Sequence, residues 1–356
     1  MSVARLSGPE RIALSATPRA VVYGCAGLQL TPQEQRFFQE ADPFGFILFR
    51  RNCHSPEQVR ALVAALRRCV GRAEAPVLID QEGGRVARLR PPHWSEQPPA
   101  RRFGELAQRD AAAGHQAAYC NARLQGGLLR DLGITINCAP VCDVPAPDSH
   151  DIIGDRAFAA DPVLVASLAE AACQGLLAGG VLPVIKHIPG HGRARVDSHE
   201  ALPVVDAPWS ALVDTDFAPF RALAGWPLGM VAHVVYRAVD PLAPASISAT
   251  VIARVIREHL GFDGLLFSDD LSMQALEGGM DQRAQAVLAA GCDIVLHCNG
   301  DADEMAAVAA VVPPLSAAAC QRWCQAEKRL AQAAATEPAI PLEELLRTRD
   351  ALLAQA

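Results

Sequence analysis

Eight short apolar runs, rich in β-branched residues, punctuate the chain: Val21–Leu28, Phe44–Phe49, Val77–Asp80, Ile134–Val144, Val181–Ile188, Gly229–Val235, Gly264–Ser268 and Cys292–Cys298. They do not alternate apolar with polar residues, as a strand with one wet face would. Near-continuous hydrophobicity belongs to strands buried on both faces, chiefly the parallel strands of α/β folds. Longer amphipathic stretches separate the runs. Ser55-Pro56-Glu57-Gln58 reads as a capping box with proline at the first helical position, opening a stripe of Val59, Leu62, Val63, Leu66 and Val70. Asp161-Pro162 opens a helix that stops at Gly179-Gly180, and Ser248 precedes Val251, Ile252, Val255, Ile256 and Leu260 at helical spacing.

Eight strands alternating with helices predict an α/β fold: a (β/α)8 barrel of the TIM type, with extra C-terminal helices in the alanine-rich stretch from Leu315 onward. A doubly wound sheet is the rival architecture, weakened because no G-x-G-x-x-G follows the first run. At 356 residues the chain is long enough for two domains. The unbroken alternation argues instead for one catalytic barrel over residues 21–356, preceded by an extension, residues 1–20, to which no role is assigned. The proline-rich patches Pro91–Pro99 and Pro140–Pro147 read as loops over one face.

The formal net charge of −7 argues against a nucleic-acid footprint or a polybasic membrane patch. Met1–Ala20 has charges scattered through it and lacks the apolar segment of about 7–15 residues that a signal peptide needs. No apolar stretch reaches the ~18 residues of a membrane span. The eleven cysteines are odd in number, contain no C-x-x-C and fall largely inside apolar runs, so they read as buried reduced thiols. A cytoplasmic location is expected, without nucleic-acid or membrane partners. Arginine supplies nearly all the positive charge, and only Lys186 and Lys328 are lysine.

In such a barrel the chemistry sits at the C-terminal ends of the strands. Four run ends are unusually polar. They are Asp80-Gln81-Glu82-Gly83-Gly84-Arg85 with Arg88 close behind, Lys186-His187-Ile188-Pro189-Gly190-His191-Gly192, Ala232-His233, and Ser268-Asp269-Asp270. Three chemistries compete for them. His187 and His191, with Asp197 and His199 nearby, have the spacing of metal ligands, although Pro189 and Gly190 forbid the helix that would align the first pair. The Pro189–Gly192 loop is a weak phosphate cradle without the lysine–serine/threonine ending of a P-loop. The third is acid–base and nucleophilic attack on a glycoside, which needs a fixed carboxylate, a proton donor and polar clamps for hydroxyls. Asp269, the Asp197/His199 pair and the Asp80/Arg88/Lys186/His187 set match those needs.

These segments, together with Gly45-Phe46-Ile47-Leu48-Phe49-Arg50-Arg51-Asn52, Ala139-Pro140-Val141-Cys142-Asp143-Val144 and Ile153-Gly154-Asp155-Arg156-Ala157-Phe158, resemble glycoside hydrolase family 3. Within it the likeness is to single-domain bacterial β-N-acetylhexosaminidases of the NagZ type, and it runs from about Val21 to Gly300. The resemblance implies a retaining hydrolase with Asp269 as nucleophile, its neighbour Asp270 being the competing choice. It implies His199 as acid/base with Asp197 two residues before it, an order that lets the carboxylate orient one ring nitrogen. It also implies Asp80, Arg88, Arg156, Lys186 and His187 as contacts to the non-reducing-end sugar. The implied substrate is GlcNAc β-1,4-linked to 1,6-anhydro-N-acetylmuramic acid, free or as a muropeptide, in peptidoglycan recycling. Neither metal nor cofactor is implied, and the enzyme is expected to be a monomer. A glycoside phosphorylase of the same family, a metal-dependent hydrolase and a catalytically silent sugar-binding barrel are the alternatives. Arg193-Ala194-Arg195-Val196 departs from the acidic or threonine-containing stretch of many relatives, so these arginines either meet an anionic part of the substrate or are merely solvated.

Overall fold

A computed structural model describes residues 17–147, 151–194, 196, 201–338 and 340–355. Every apolar run contributes a strand to one parallel ring: β1 (Arg19–Gly24), β2 (Pro43–Leu48), β3 (Val77–Ile79), β4 (Ile136–Asn137), β5 in two segments (Leu182–Pro183 and Ile185–Ile188), β6 (Leu228–Val231), β7 (Leu265–Asp270) and β8 (Ile294–His297). Because β5 is split at Val184, the ring holds nine strand segments at eight positions. Its first segment pairs with β4 and its second with β6. Val184 N donates to Asn137 O and Ala139 O, and Cys142 N donates to Lys186 O at 2.7 Å, so the ring closes through this strand. The closing pair β1 and β8 is also parallel.

Burial on both faces is what the runs required. Every residue of β2, β3, β4, β5, β6 and β8 is buried, and β7 departs from this only at Asp269 and Asp270. Helix Pro56–Cys69 buries Val59, Leu62, Val63 and Leu66 against the ring, whereas Val70 falls at its C-cap. The capping box expected at Ser55 forms only by half. Ser55 Oγ accepts from Gln58 N, but Gln58 Oε1 accepts from His54 N, and its amide donates to Leu28 O and Asn52 O. A complete box stands instead at the preceding helix, Pro32–Ala41, between Thr31 and Glu34. Helix Pro162–Ala178 begins on an Asp161 cap as expected, and Ser248 Oγ accepts from Val251 N ahead of the helix Val251–His259.

The proline-rich patches run as loops, and the C-terminal stretch forms helices Ala317–Thr336 and Leu342–Leu353. The last of these docks against the helix Ala111–Asp131, where buried Arg349 reaches Asn121. All eleven cysteines are free thiols. Among the described residues no helix is long and apolar enough to cross a membrane. Of the extension at residues 1–20, residues 1–16 lie outside the described residues, and Arg19 and Ala20 already belong to β1.

Candidate active site

Asp80, Arg88, Arg156, Lys186, His187 and Asp269 line one cavity of about 360 Å³ at the C-terminal ends of the strands, with Glu82, His191 and Asp270. Asp197 and His199 lie outside the described residues, as does Arg195.

The loop after β3 delivers the first group. Gln81, fully buried, is tied to Asn137 by reciprocal bonds of 3.0 Å, and its Oε1 accepts from Arg88 N and Leu89 N. The chain therefore turns back so that Arg88 meets Asp80 at 3.0 Å. Gly83 makes the turn possible. Its φ is +109°, and a Cβ there would sit 2.4 Å from Pro98 O. Phe49, at the end of β2, lies under the guanidinium groups of Arg51 and Arg88 at 5.0 and 5.1 Å.

Lys186 rises from a strand with no exposed residue, and its side chain is 2 % exposed. A buried ammonium must be paired. It contacts Asp80 at 2.8 Å and Glu82 at 2.6 Å, while Glu82 also takes a two-pronged grip from Arg156 at 2.9 Å on each oxygen. Burial alone would lift the Glu82 carboxyl, but Arg156 and Lys186 overcome it and hold the group at about 2. Burial works against Asp80 and Lys186 likewise, and their mutual pairing wins. Asp80 ends well below the usual carboxylate range and Lys186 above the usual lysine range.

His187 is oriented by Asp143, which reaches it from the loop after β4. Asp143 Oδ2 meets His187 Nδ1 at 2.7 Å, and Oδ1 accepts from His191 N at 2.7 Å and His187 N at 3.3 Å. Burial would raise the Asp143 carboxyl, yet the His187 ring and the His191 amide keep it below its ordinary value. His187 Nδ1 is thus engaged with Asp143, leaving Nε2 as the ring atom for a ligand. Burial, aided by the adjacent His187, pushes His191 down to about 4, so it is neutral at physiological pH. No cluster of three His, Cys, Asp or Glu side chains among the described residues is arranged to hold a metal ion.

β7 ends in two carboxylates with different surroundings. Asp270 accepts from Ser272 N and Cys298 N at 3.1 Å each and from Ser272 Oγ at 2.5 Å. Among the described residues Asp269 Oδ1 accepts the Asp270 amide alone, at 2.9 Å. Burial would raise the Asp269 carboxyl, but His187, His233, that amide and Lys186 together hold it below its ordinary value. Asp270 is a structural anchor; Asp269 is an ionised carboxylate facing the cavity.

Arg193 answers one open question. Its Nε meets Asp216 Oδ2 at 2.6 Å and its Nη2 meets Thr215 Oγ1 at 2.7 Å, so this half-buried side chain is docked on a buried carboxylate. Glu82 and Asp143, the counter-charges of the grip, were quoted above only as parts of motifs. The signal that could have found them is Lys186 and His187 inside an otherwise apolar run, where both need buried partners.

A closed parallel barrel with an ionised carboxylate at one strand end, facing a dense cluster of charged and polar groups, is a framework that suits a barrel glycosidase. The chain belongs to glycosyl hydrolase family 3, whose N-terminal domain model matches residues 29–333. It is 37% identical over 340 residues to a β-hexosaminidase of Chromobacterium violaceum, covering 94% of this chain and 92% of that one. To a β-hexosaminidase of Thioalkalivibrio sulfidiphilus it is 41% identical over 283 residues, covering 78% and 80%. The crystal structure of NagZ from Neisseria gonorrhoeae in complex with N-trifluoroacetyl-D-glucosamine superposes with a TM-score of 0.83 at 30% identity, covering 95% and 98%.

Proposed function

We propose that this family 3 β-N-acetylhexosaminidase is a retaining exo-β-N-acetylglucosaminidase. Asp269 attacks the anomeric carbon while His199, assisted by Asp197, protonates the leaving oxygen; His199 then activates water against the glycosyl-enzyme. Asp80, Arg88, Arg156, Lys186 and His187 bind the non-reducing GlcNAc. The substrate is GlcNAc-β-1,4-(1,6-anhydro)MurNAc or its peptides, and the setting is peptidoglycan recycling in the cytoplasm by a monomer. The observation that carries the reading is the contrast at the end of β7, where Asp270 is consumed by three donors and Asp269 faces the cavity ionised. A carboxylate nucleophile has to be ionised and to keep one oxygen available for attack, and the amide hydrogen bond to Asp269 falls on Oδ1. The Asp197/His199 part rests on the motif alone.

Asp269→Ala should abolish hydrolysis of an aryl β-GlcNAc, whereas near-normal turnover would remove Asp269 from the role. Release of GlcNAc rather than GlcNAc-1-phosphate in phosphate buffer is expected, and the phosphate ester would overturn hydrolysis.

A further inference from the structure

The ladder around Asp269 is incomplete. β6 and β7 pair as far as Val231 with Ser268 and no further. On the other side, the β7–β8 register shifts between Phe267 and Asp270. The backbone that carries Asp269 therefore lies past the last β6 rung and within an irregularity on the β8 side. Irregularities of this kind re-aim side chains next to active sites, but they leave the strand short of hydrogen bonds.

Two side chains supply them. Ser268 Oγ accepts from Leu296 N at 3.1 Å and donates to Asp269 O at 2.7 Å, bridging the β8 side. On the β6 side the link is His233, two residues beyond the end of its strand and fully buried. Its Nε2 lies 3.0 Å from Asp270 O and its Nδ1 lies 2.6 Å from Ser246 Oγ. A carbonyl can only accept, so Nε2 carries the hydrogen, and Nδ1 of the neutral ring accepts from the serine hydroxyl. Burial lowers the proton affinity of His233, in keeping with the neutral form. Ser246 is itself fixed in the short turn Ala245–Ile247, whose Ala245 N donates to Val234 O at 2.8 Å.

We propose that His233 is a positioning residue for the nucleophile: clamped between Ser246 and the Asp270 carbonyl, it replaces the missing β6–β7 rung and fixes the direction in which Asp269 points. The proposal rests on the reading of Asp269 as nucleophile. Misplacing a reacting group by about 1 Å can cost on the order of 100-fold in rate, so losing the clamp should slow attack while leaving the sugar grip intact.

The test uses a 5-fluoro-N-acetylglucosaminyl fluoride, with the labelled peptide mapped by mass spectrometry and labelling rates followed in wild type, His233→Leu, His233→Gln and Ser246→Ala. The wild type should label on Asp269. His233→Leu should label the same residue about 100-fold more slowly, with affinity for GlcNAc within about threefold of wild type. His233→Gln, whose amide N–H can reach the Asp270 carbonyl, should regain at least about tenfold over His233→Leu. Ser246→Ala should slow labelling about fivefold, and it decides the matter alone where His233→Leu does not fold. Labelling of Asp269 at the wild-type rate in His233→Leu or Ser246→Ala overturns the proposal, as does a loss of GlcNAc affinity equal to the loss of rate. A label on another residue in the wild type is a separate failure, that of the Asp269 reading itself.

Discussion

Glutamine in place of Glu82 would keep the shape of the side chain and remove its charge. Glu82 is 7 % exposed and faces Lys186 at 2.6 Å and Arg156 at 2.9 Å, with side-chain exposures of 2 % and 12 %. Removing one member of a buried ion pair strands its partners, at a cost of roughly 3–5 kcal/mol. Here Lys186 keeps Asp80, which favours the lower end. A second route gives a similar figure. The Glu82 carboxyl lies at about 2 in the folded protein against an ordinary 4.5, and at about 1.4 kcal/mol per tenfold change in proton affinity that is about 3 kcal/mol at pH 7. With a typical unfolding entropy of ~2.1 cal/mol/K per residue, the 356 residues lose about 0.7 kcal/mol per degree near the midpoint, so Glu82→Gln should melt about 4 °C lower. The sign with pH follows from the depressed value. The contribution is whole above about 4.5 and is lost as the pH falls toward about 2, so the gap between wild type and variant should close over that window. Equilibrium unfolding in guanidinium at several pH values measures it. A variant within about 1 kcal/mol of wild type at pH 7, well short of the roughly 3–5 kcal/mol expected, or a gap indifferent to acid, would refute the reasoning.

Asp143→Asn should leave the His187 ring without its carboxylate and lower kcat/KM on an aryl β-GlcNAc by about 10- to 100-fold, less than the roughly 100- to 10,000-fold typical of losing an acid–base group; an unchanged value would show that the pair does not orient His187 for binding. Asp270→Asn should cost about 1–2 kcal/mol through its weakened bonds to Ser272 and Cys298, while the 5-fluoro label still maps to Asp269. Arg193→Ala should destabilise by about 3 kcal/mol, because Asp216 is 1 % exposed and would lose its counter-charge while keeping the neutral Thr215 hydroxyl. Burial already raises the Asp216 carboxyl, so that deficit should be largest at neutral pH and vanish as acid protonates it. An equal deficit at both pH values in unfolding experiments would argue against a charge effect.

The ring of strands could be read from the chain because burial on both faces leaves a mark in every residue of a run. Strand length left a weaker mark. The run Ile134–Val144 keeps Ile136–Asn137 as strand and pairs again only at Val141, with Pro140, which cannot donate to a ladder, in the gap. The run Val181–Ile188 breaks at Val184, whose amide serves both Asn137 and Ala139. The capping box at Ser55 failed for a tertiary reason, since Gln58 found partners at Leu28 and Asn52. In the site, Asp80, Lys186, His187 and Asp269 were evident as polar groups at apolar run ends, whereas Arg156 was implied only by the family resemblance. Their partners were not, because pairing depends on closure of the ring. Glu82 meets Arg156 across 74 residues of chain, and Asp143 meets His187 across 44. His233 was visible as a polar run end, but its task depends on where the β6–β7 ladder stops, which no local pattern encodes.

Asp143 gathers the amides of His187 and His191 on one oxygen and the His187 ring on the other. The five-residue segment between them is thereby closed on itself, with both feet on a single carboxylate. Asp143 anchors the chain on the barrel between Gly192 and Lys186. The contacts of Lys186 and His187 upstream and those of the chain at Arg193 downstream are thus anchored at separate points. The unusual Arg193 illustrates the separation. It is tethered to Asp216, while Lys186 pairs with Asp80 and His187 with Asp143 on the other side of the knot. Loop exchange between relatives beyond Gly192 should therefore leave the Asp143–His187 contact in place.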